Sequence, residues 1–161
     1  MRPLSIGRIF LFLFSLVLAL VLEVAPLPEA LQGWRPLWLA LVVAYWALES
    51  PSGFRLLLAW LSGLMQDVLY GSVLGLHALF LVVVAFAIQS FQQRLRVFPV
   101  WQQAVFLTLL LMIAQLAVFW LDVLMGSSKL LVQYIVPALI SGLLWPWFYL
   151  LMHAVQRLLR R

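Results

Sequence analysis

Long apolar runs, broken only by prolines, glycines and isolated charges, fill this chain from Ile9 almost to its C-terminus. That pattern decides which solvent the chain folds in. About 20 apolar residues cross a bilayer core of roughly 30 Å. Marking breaks at the prolines, glycines and charges gives six segments: 8 to 25, 36 to 48, 55 to 70, 73 to 91, 103 to 125 and 130 to 152. Residues 55 to 91 cannot form one helix, because at 1.5 Å per residue it would run to roughly 55 Å. A break at Tyr70-Gly71-Ser72 is therefore required, with Ser72 as N-cap of the next helix. Composition agrees. Hydrophobic residues make up 66% of the chain and charged ones 9%, against roughly 45–50% and about 25% in soluble domains. A soluble fold has nowhere to hide that much apolar surface. The expectation is an all-α polytopic membrane protein: one domain over 1–161 with six transmembrane helices.

The first apolar run, Ile9 to Leu22 after Arg2 and Arg8, imitates a secretory signal. The following VAPLPEALQG makes a poor cleavage site, so the run reads as a retained first helix. Orientation follows from arginine and lysine. Arg2, Arg8, Arg55, Arg94, Arg96, Arg157, Arg160 and Arg161 fall on one side, and only Arg35 and Lys129 on the other. Both termini are thus placed in the cytoplasm. The net charge of +5 does not indicate nucleic acid, because the basic residues are scattered instead of forming a stripe.

Several chemistries have no residues to run on. With no cysteine, there is no thiolate site or disulfide. The chain has no HExxH, no GxSxG and no Walker glycine loop. A catalytic reading would rest on Asp67, His77 and Glu49 alone, and neither enzyme activity nor a cofactor is expected.

The stretch GLMQDVLYGSVLGLHAL (63–79) holds the least expected residue, Asp67. A charge at a helix centre costs about 2.5–3.5 kcal/mol on insertion scales, and each leucine returns roughly 0.3–0.6. The six leucines of segment 55–70 therefore about cancel Asp67. Two readings follow. Asp67 faces a functional cavity, or its carboxylate accepts hydrogen bonds from the free backbone amides that open the next helix and braces the turn. The brace is preferred. Gly63, Asp67, Gly71 and Gly75 recur every four residues, a small-residue face suited to close helix packing. His77 lacks a second ligand at i+3 or i+4 and reads as a satisfied packing residue. Gln115 and Asp122, seven apart, share a helix face and are expected to line an interior surface with Asp67.

Most tryptophans read as interfacial anchors. Trp145 and Trp147 differ because Pro146 lies between them within the last segment, where it removes a helix hydrogen bond and predicts a kink. The loop FQQRLRVFPVWQQ is expected on the inner leaflet in contact with lipid. Its Arg94 and Arg96, with Arg157, Arg160 and Arg161, form a candidate cytoplasmic docking surface.

The same residues carry a resemblance. WRPLWLALVVAYWALESP (34–51), GLMQDVLYGSVLGLHAL (63–79), FPVWQQA (98–104) and GLLWPWFYLLMHAVQ (142–156) are similar to the successive motifs of the rod shape-determining MreD family. The resemblance implies an inner-membrane subunit of the machinery that elongates rod-shaped bacteria. Its partners would be the bitopic protein MreC, the actin-like MreB, and the glycosyltransferase and transpeptidase of lateral peptidoglycan synthesis. It also implies a fold similar to the six-helix substrate-binding subunits of energy-coupling-factor transporters. Fold likeness alone carries no transport activity.

Two further function classes compete with a scaffold. One is a small-molecule or lipid-binding subunit with a pocket opening beside Asp67, His77 and Gln115. The other is a proton-coupled transporter using Asp67.

Overall fold

The computed structural model describes residues 6–49, 55–126 and 129–159, and Arg160 and Arg161 lie outside them. Among the described residues every regular element is a helix: α1 (Ile6–Val24), α2 (Glu29–Gln32), α3 (Trp38–Glu49), α4 (Arg55–Tyr70), α5 (Leu76–Ser90), α6 (Gln92–Val97), α7 (Val100–Leu124) and α8 (Val132–Leu159). The six longer helices match the six apolar segments to within a few residues, except that α8 runs seven residues past the expected end at 152. Two of them, α7 and α8, are long and apolar enough to cross a membrane. The break at Tyr70 falls where helix length required it. The segment 92–97, expected as loop, forms α6, whose Leu95 is buried.

The core is organised around α3. Its sequence WLALVVAYWALE has no polar face, and every residue from Leu39 to Leu48 is buried. A helix apolar all round belongs inside a bundle. Here α1, α4, α5, α6 and α8 all pack against it. Consecutive long helices alternate in direction, so α3 starts beside the C-terminal end of α1 and ends beside α6. These two ends of the bundle are called the Glu23 end and the Arg96 end.

Aromatic side chains lock the centre. The Tyr45 ring meets Trp46, Phe148 and Tyr149 edge-on, with centroids 5.7–6.4 Å apart, within the range where such pairs attract. Trp46, one of the expected anchors, is instead buried, and so is Trp145. Each finds an acceptor for its indole N–H: Ser15 Oγ on α1 at 3.1 Å for Trp46, and Gln103 Oε1 on α7 at 3.4 Å for Trp145. Gln103 in turn donates to the carbonyls of Leu95 and Phe98. The WQQA and LWPW stretches thus meet inside the bundle, joining α6, α7 and α8. Helix α8 continues through both Pro137 and Pro146.

Two glycines set the closest helix approaches. A Cβ on Gly63 of α4 would stand 2.3 Å from Ala78 Cα and 2.7 Å from His77 O, both backbone atoms of α5. On Gly142 of α8 it would stand 1.7 Å from Thr108 Oγ1 of α7. The four-residue small stripe therefore divides by role. Gly63 packs, whereas Gly71 (φ +61°) and Gly75 (φ +101°) face open space and supply left-handed turn geometry.

Gly63→Ala must separate two backbones and is expected to cost about 1–3 kcal/mol. Gly142→Ala meets Thr108 Oγ1, which can rotate away, and Thr108 Cβ at 2.8 Å, which cannot, but no backbone atom of the neighbouring helix, so its loss should be smaller. Unfolding midpoints of the purified variants in mixed detergent give the order, and a larger loss for Gly142→Ala would contradict this assignment.

Candidate functional site

The polar side chains buried in the bundle gather mainly at helix ends. Helix α3 has 12 residues and is about 18 Å long, too short to carry its ends to both surfaces of a core of roughly 30 Å. Its terminal N–H and C=O groups have no partners within the helix and little water nearby. Side chains from elsewhere supply them. At the N-terminus, Leu39 N donates to Glu23 Oε2 of α1 at 3.0 Å, and Leu37 N donates to Ser141 Oγ of α8 at 2.8 Å. At the C-terminus, the Leu48 carbonyl accepts from Gln92 Nε2 at 2.7 Å and from Arg96 Nε and an Arg96 terminal nitrogen at 3.0 and 2.8 Å. Carboxylate at the N-terminus and guanidinium at the C-terminus both interact favourably with the helix macrodipole.

Glu23 is 3% exposed. Its other oxygen, Oε1, accepts from Gln66 Nε2 of α4 at 2.8 Å. Arg35 donates to the backbone carbonyls of Glu23 and Ala25, capping the C-terminus of α1. Tyr70 OH also points at the Glu23 carbonyl, at 3.4 Å. One carboxylate thus joins α1, α3 and α4.

Asp67 is fully buried and braces the α4–α5 turn. Its Oδ1 accepts from Ser72 Oγ (2.9 Å), His77 N (3.0 Å) and His77 Nδ1 (2.8 Å). Its Oδ2 accepts from Gly75 N (2.8 Å) and Ala78 N (3.4 Å). The brace expected from sequence is therefore present, with one correction. Helix α5 begins at Leu76 after Gly75, so Ser72 does not cap it. Asp67 fills that role from the neighbouring helix, and Ser72 is one of its donors. His77 is held by Asp67 and lies 5.6 Å from the Tyr70 ring.

The remaining candidates separate. Gln115 is buried on α7. Asp122, partly exposed, accepts from Tyr134 OH across the α7–α8 hairpin. Among the described residues no hydrogen bond joins either to Asp67. At the Arg96 end, Arg94 is exposed. Arg96 is also exposed, but its guanidinium caps α3, which removes it from a purely outward-facing docking surface. Arg157 lines a surface cleft of about 510 Å³ with Leu150, His153, Ala154 and Leu158. Glu49 accepts from Tyr149 OH at 3.3 Å.

The sequence pattern does not single out Glu23, the residue with the widest reach. The available signal was its position one residue before the end of α1, where a carboxylate opposes the helix dipole and needs some other reason to be there.

These features define a class: a helical membrane protein whose buried carboxylates serve its own helix ends, with no group of three or more metal-ligating side chains among the described residues. The chain belongs to the MreD family of rod shape-determining proteins, whose family model matches residues 4–155. The rod shape-determining protein MreD of Haemophilus influenzae is 37% identical over 148 residues, covering 92% of this chain and 91% of that protein. No solved structure shows significant similarity. Family membership supports a role in cell shape.

Glu23→Ala strands Leu39 N–H and Gln66 Nε2 inside the bundle, each loss of a buried partner costing about 1–3 kcal/mol. A clear fall in detergent unfolding midpoint is expected, and an unchanged midpoint would refute the capping role. Asp67→Asn places an amide NH₂ against at least one of the facing donors. It should lower the folded protein recovered from membranes together with function. Normal protein level with function abolished would instead favour proton coupling.

Proposed function

We propose that this protein is a non-catalytic, multi-pass inner-membrane subunit of the bacterial cell-elongation complex, with six membrane-crossing helices and both termini in the cytoplasm. In this reading it binds MreC directly through transmembrane helices. It thereby helps organise MreB, the elongation glycosyltransferase and the transpeptidase in lateral peptidoglycan synthesis. The observation that carries the proposal is where the polar groups that meet the helix ends and turns come from. Glu23, Asp67, Gln103, Ser141 and Arg96 all bond helix ends, turns or loop carbonyls of the chain itself. Chemistry on a substrate would need some of those groups free and aimed at a cavity. What the bundle offers outward is apolar helix surface, which suits association with other helices in lipid.

Orientation rests on charge: Arg94, Arg96 and Arg157 lie at the Arg96 end, and Arg35 and Lys129 at the other. A six-helix architecture similar to the energy-coupling-factor substrate-binding subunits belongs to the same proposal. The ligand-binding alternative has a pocket opening beside Asp67, His77 and Gln115, of which Asp67 and Gln115 are buried and His77 is partly exposed. Mass spectrometry of the protein purified in mild detergent tests it: a stoichiometric vitamin or lipid intermediate would revive that alternative.

Depletion of the protein is expected to turn rod-shaped cells round, and the purified chain should retain MreC. Cells that stay rod-shaped, together with a preparation free of MreC, would overturn the proposal.

A further inference from the structure

Helix α8 outruns the central helix at the Arg96 end. Tyr149 OH meets Glu49, the last residue of α3, and α8 continues to Leu159. On that overhang Leu150, His153, Ala154, Arg157 and Leu158 line the cleft of about 510 Å³. No carboxylate is among these lining residues. Glu49 lies about a turn further in, taken up by Tyr149.

Two donors in the cleft have no task inside the protein. Arg157 is exposed, and no described residue gives its guanidinium a hydrogen bond or ion pair. Arg35 and Arg96 differ, since theirs cap helix ends. The His153 ring is stacked on Tyr149, with centroids 5.7 Å and planes 14° apart, which fixes its orientation. Its Nδ1 is enclosed and has no hydrogen-bond partner. A proton there would be a stranded donor, so the neutral ring carries it on Nε2. Nε2 has no partner among the described residues either, but it is not enclosed. It is the nitrogen left to face the cleft.

Depth decides what the cleft meets. With the roughly 18 Å of α3 centred in a core of about 30 Å, its end stops about 6 Å short of the hydrocarbon boundary. His153, one turn beyond Tyr149, gains about 6 Å and reaches that boundary, and Arg157 gains about 12 Å and stands among the headgroups. Beside them Leu150, Ala154 and Leu158 form an apolar stripe at helical spacing. Both leucines are exposed, and the small Ala154 leaves a notch between them.

We propose that this cleft binds one anionic phospholipid, in the cytoplasmic leaflet by the orientation given above. Its phosphate sits between Arg157 and His153 Nε2, one turn apart on the same face, and an acyl chain lies along Leu150 and Ala154. The guanidinium offers phosphate paired N–H donors, and the imidazole adds another. Basic pockets on the cytoplasmic side of a membrane hold such headgroups. A free phosphate would use the donors and leave the apolar wall unused, whereas a lipid uses both. The site does not depend on MreC, so its failure would leave the proposed function standing.

The test is native mass spectrometry of the full chain, reconstituted in vesicles of phosphatidylethanolamine and phosphatidylglycerol in equal parts and re-extracted in mild detergent. Retention of phosphatidylglycerol in clear excess is expected. Arg157→Gln should lower that retention about fivefold, the share of one basic side chain at an anionic surface, with its unfolding midpoint in lipid-free detergent unchanged. His153→Phe keeps the stack on Tyr149 without the N–H and should lower retention by a smaller factor. Lys129→Gln, at the opposite end, should retain the lipid as wild type does. Equal retention of the two phospholipids by wild type, or undiminished retention by Arg157→Gln, would overturn the proposal. So would complete displacement of the lipid by excess inorganic phosphate, which would make the cleft a free phosphate site.

Discussion

The hydrogen-bonding needs of α3 constrain the whole bundle. A short helix buried on every side cannot reach water with its terminal N–H and C=O groups, and lipid offers them nothing. Four side chains from three other elements meet that need: Glu23 from α1, Ser141 from α8, and Gln92 and Arg96 from α6. Opposite charges sit at opposite ends because the helix dipole favours them there. Because each cap comes from a different part of the chain, satisfying α3 fixes where α1, α6 and α8 must stand.

The same device appears at the α4–α5 turn. Gly71 and Gly75 let the backbone take positive φ, and the amides opening α5 then converge on Asp67. Gln66 and Asp67, adjacent on α4, face different tasks, one holding Glu23 and the other the turn. Carboxylates that are costly in a membrane are retained because removing them would leave several backbone donors unpaired. With those groups engaged inside, the outer surface is left to apolar contact. That is the physical basis for reading the protein as a partner-binding subunit.

Much of this was legible in one dimension. Helix length forced the break at Tyr70, and the free amides beyond it made a brace of Asp67, because both arguments concern residues close in sequence. Ser72 as a cap failed because the chain continues through a wide glycine turn before helix begins, letting a carboxylate ten residues back from His77 reach the amides first. Gly71 and Gly75 share the spacing of Gly63, yet spacing cannot tell a packing glycine from one needed for its φ. Arg96 read as a surface charge because its acceptor, the Leu48 carbonyl, is 48 residues away.

The sequence by itself determined the solvent, the number and approximate ends of the apolar helices, the charge asymmetry and the family, since these depend on composition and local pattern. Only the tertiary structure decided that α3 lies at the centre, that Glu23 joins three helices, that Gln103 meets Trp145 and that Trp147 points out. Those facts depend on which helix faces which neighbour. An apolar helix with no polar face carries no local mark of that choice, so the partners of its ends must come from distant parts of the chain.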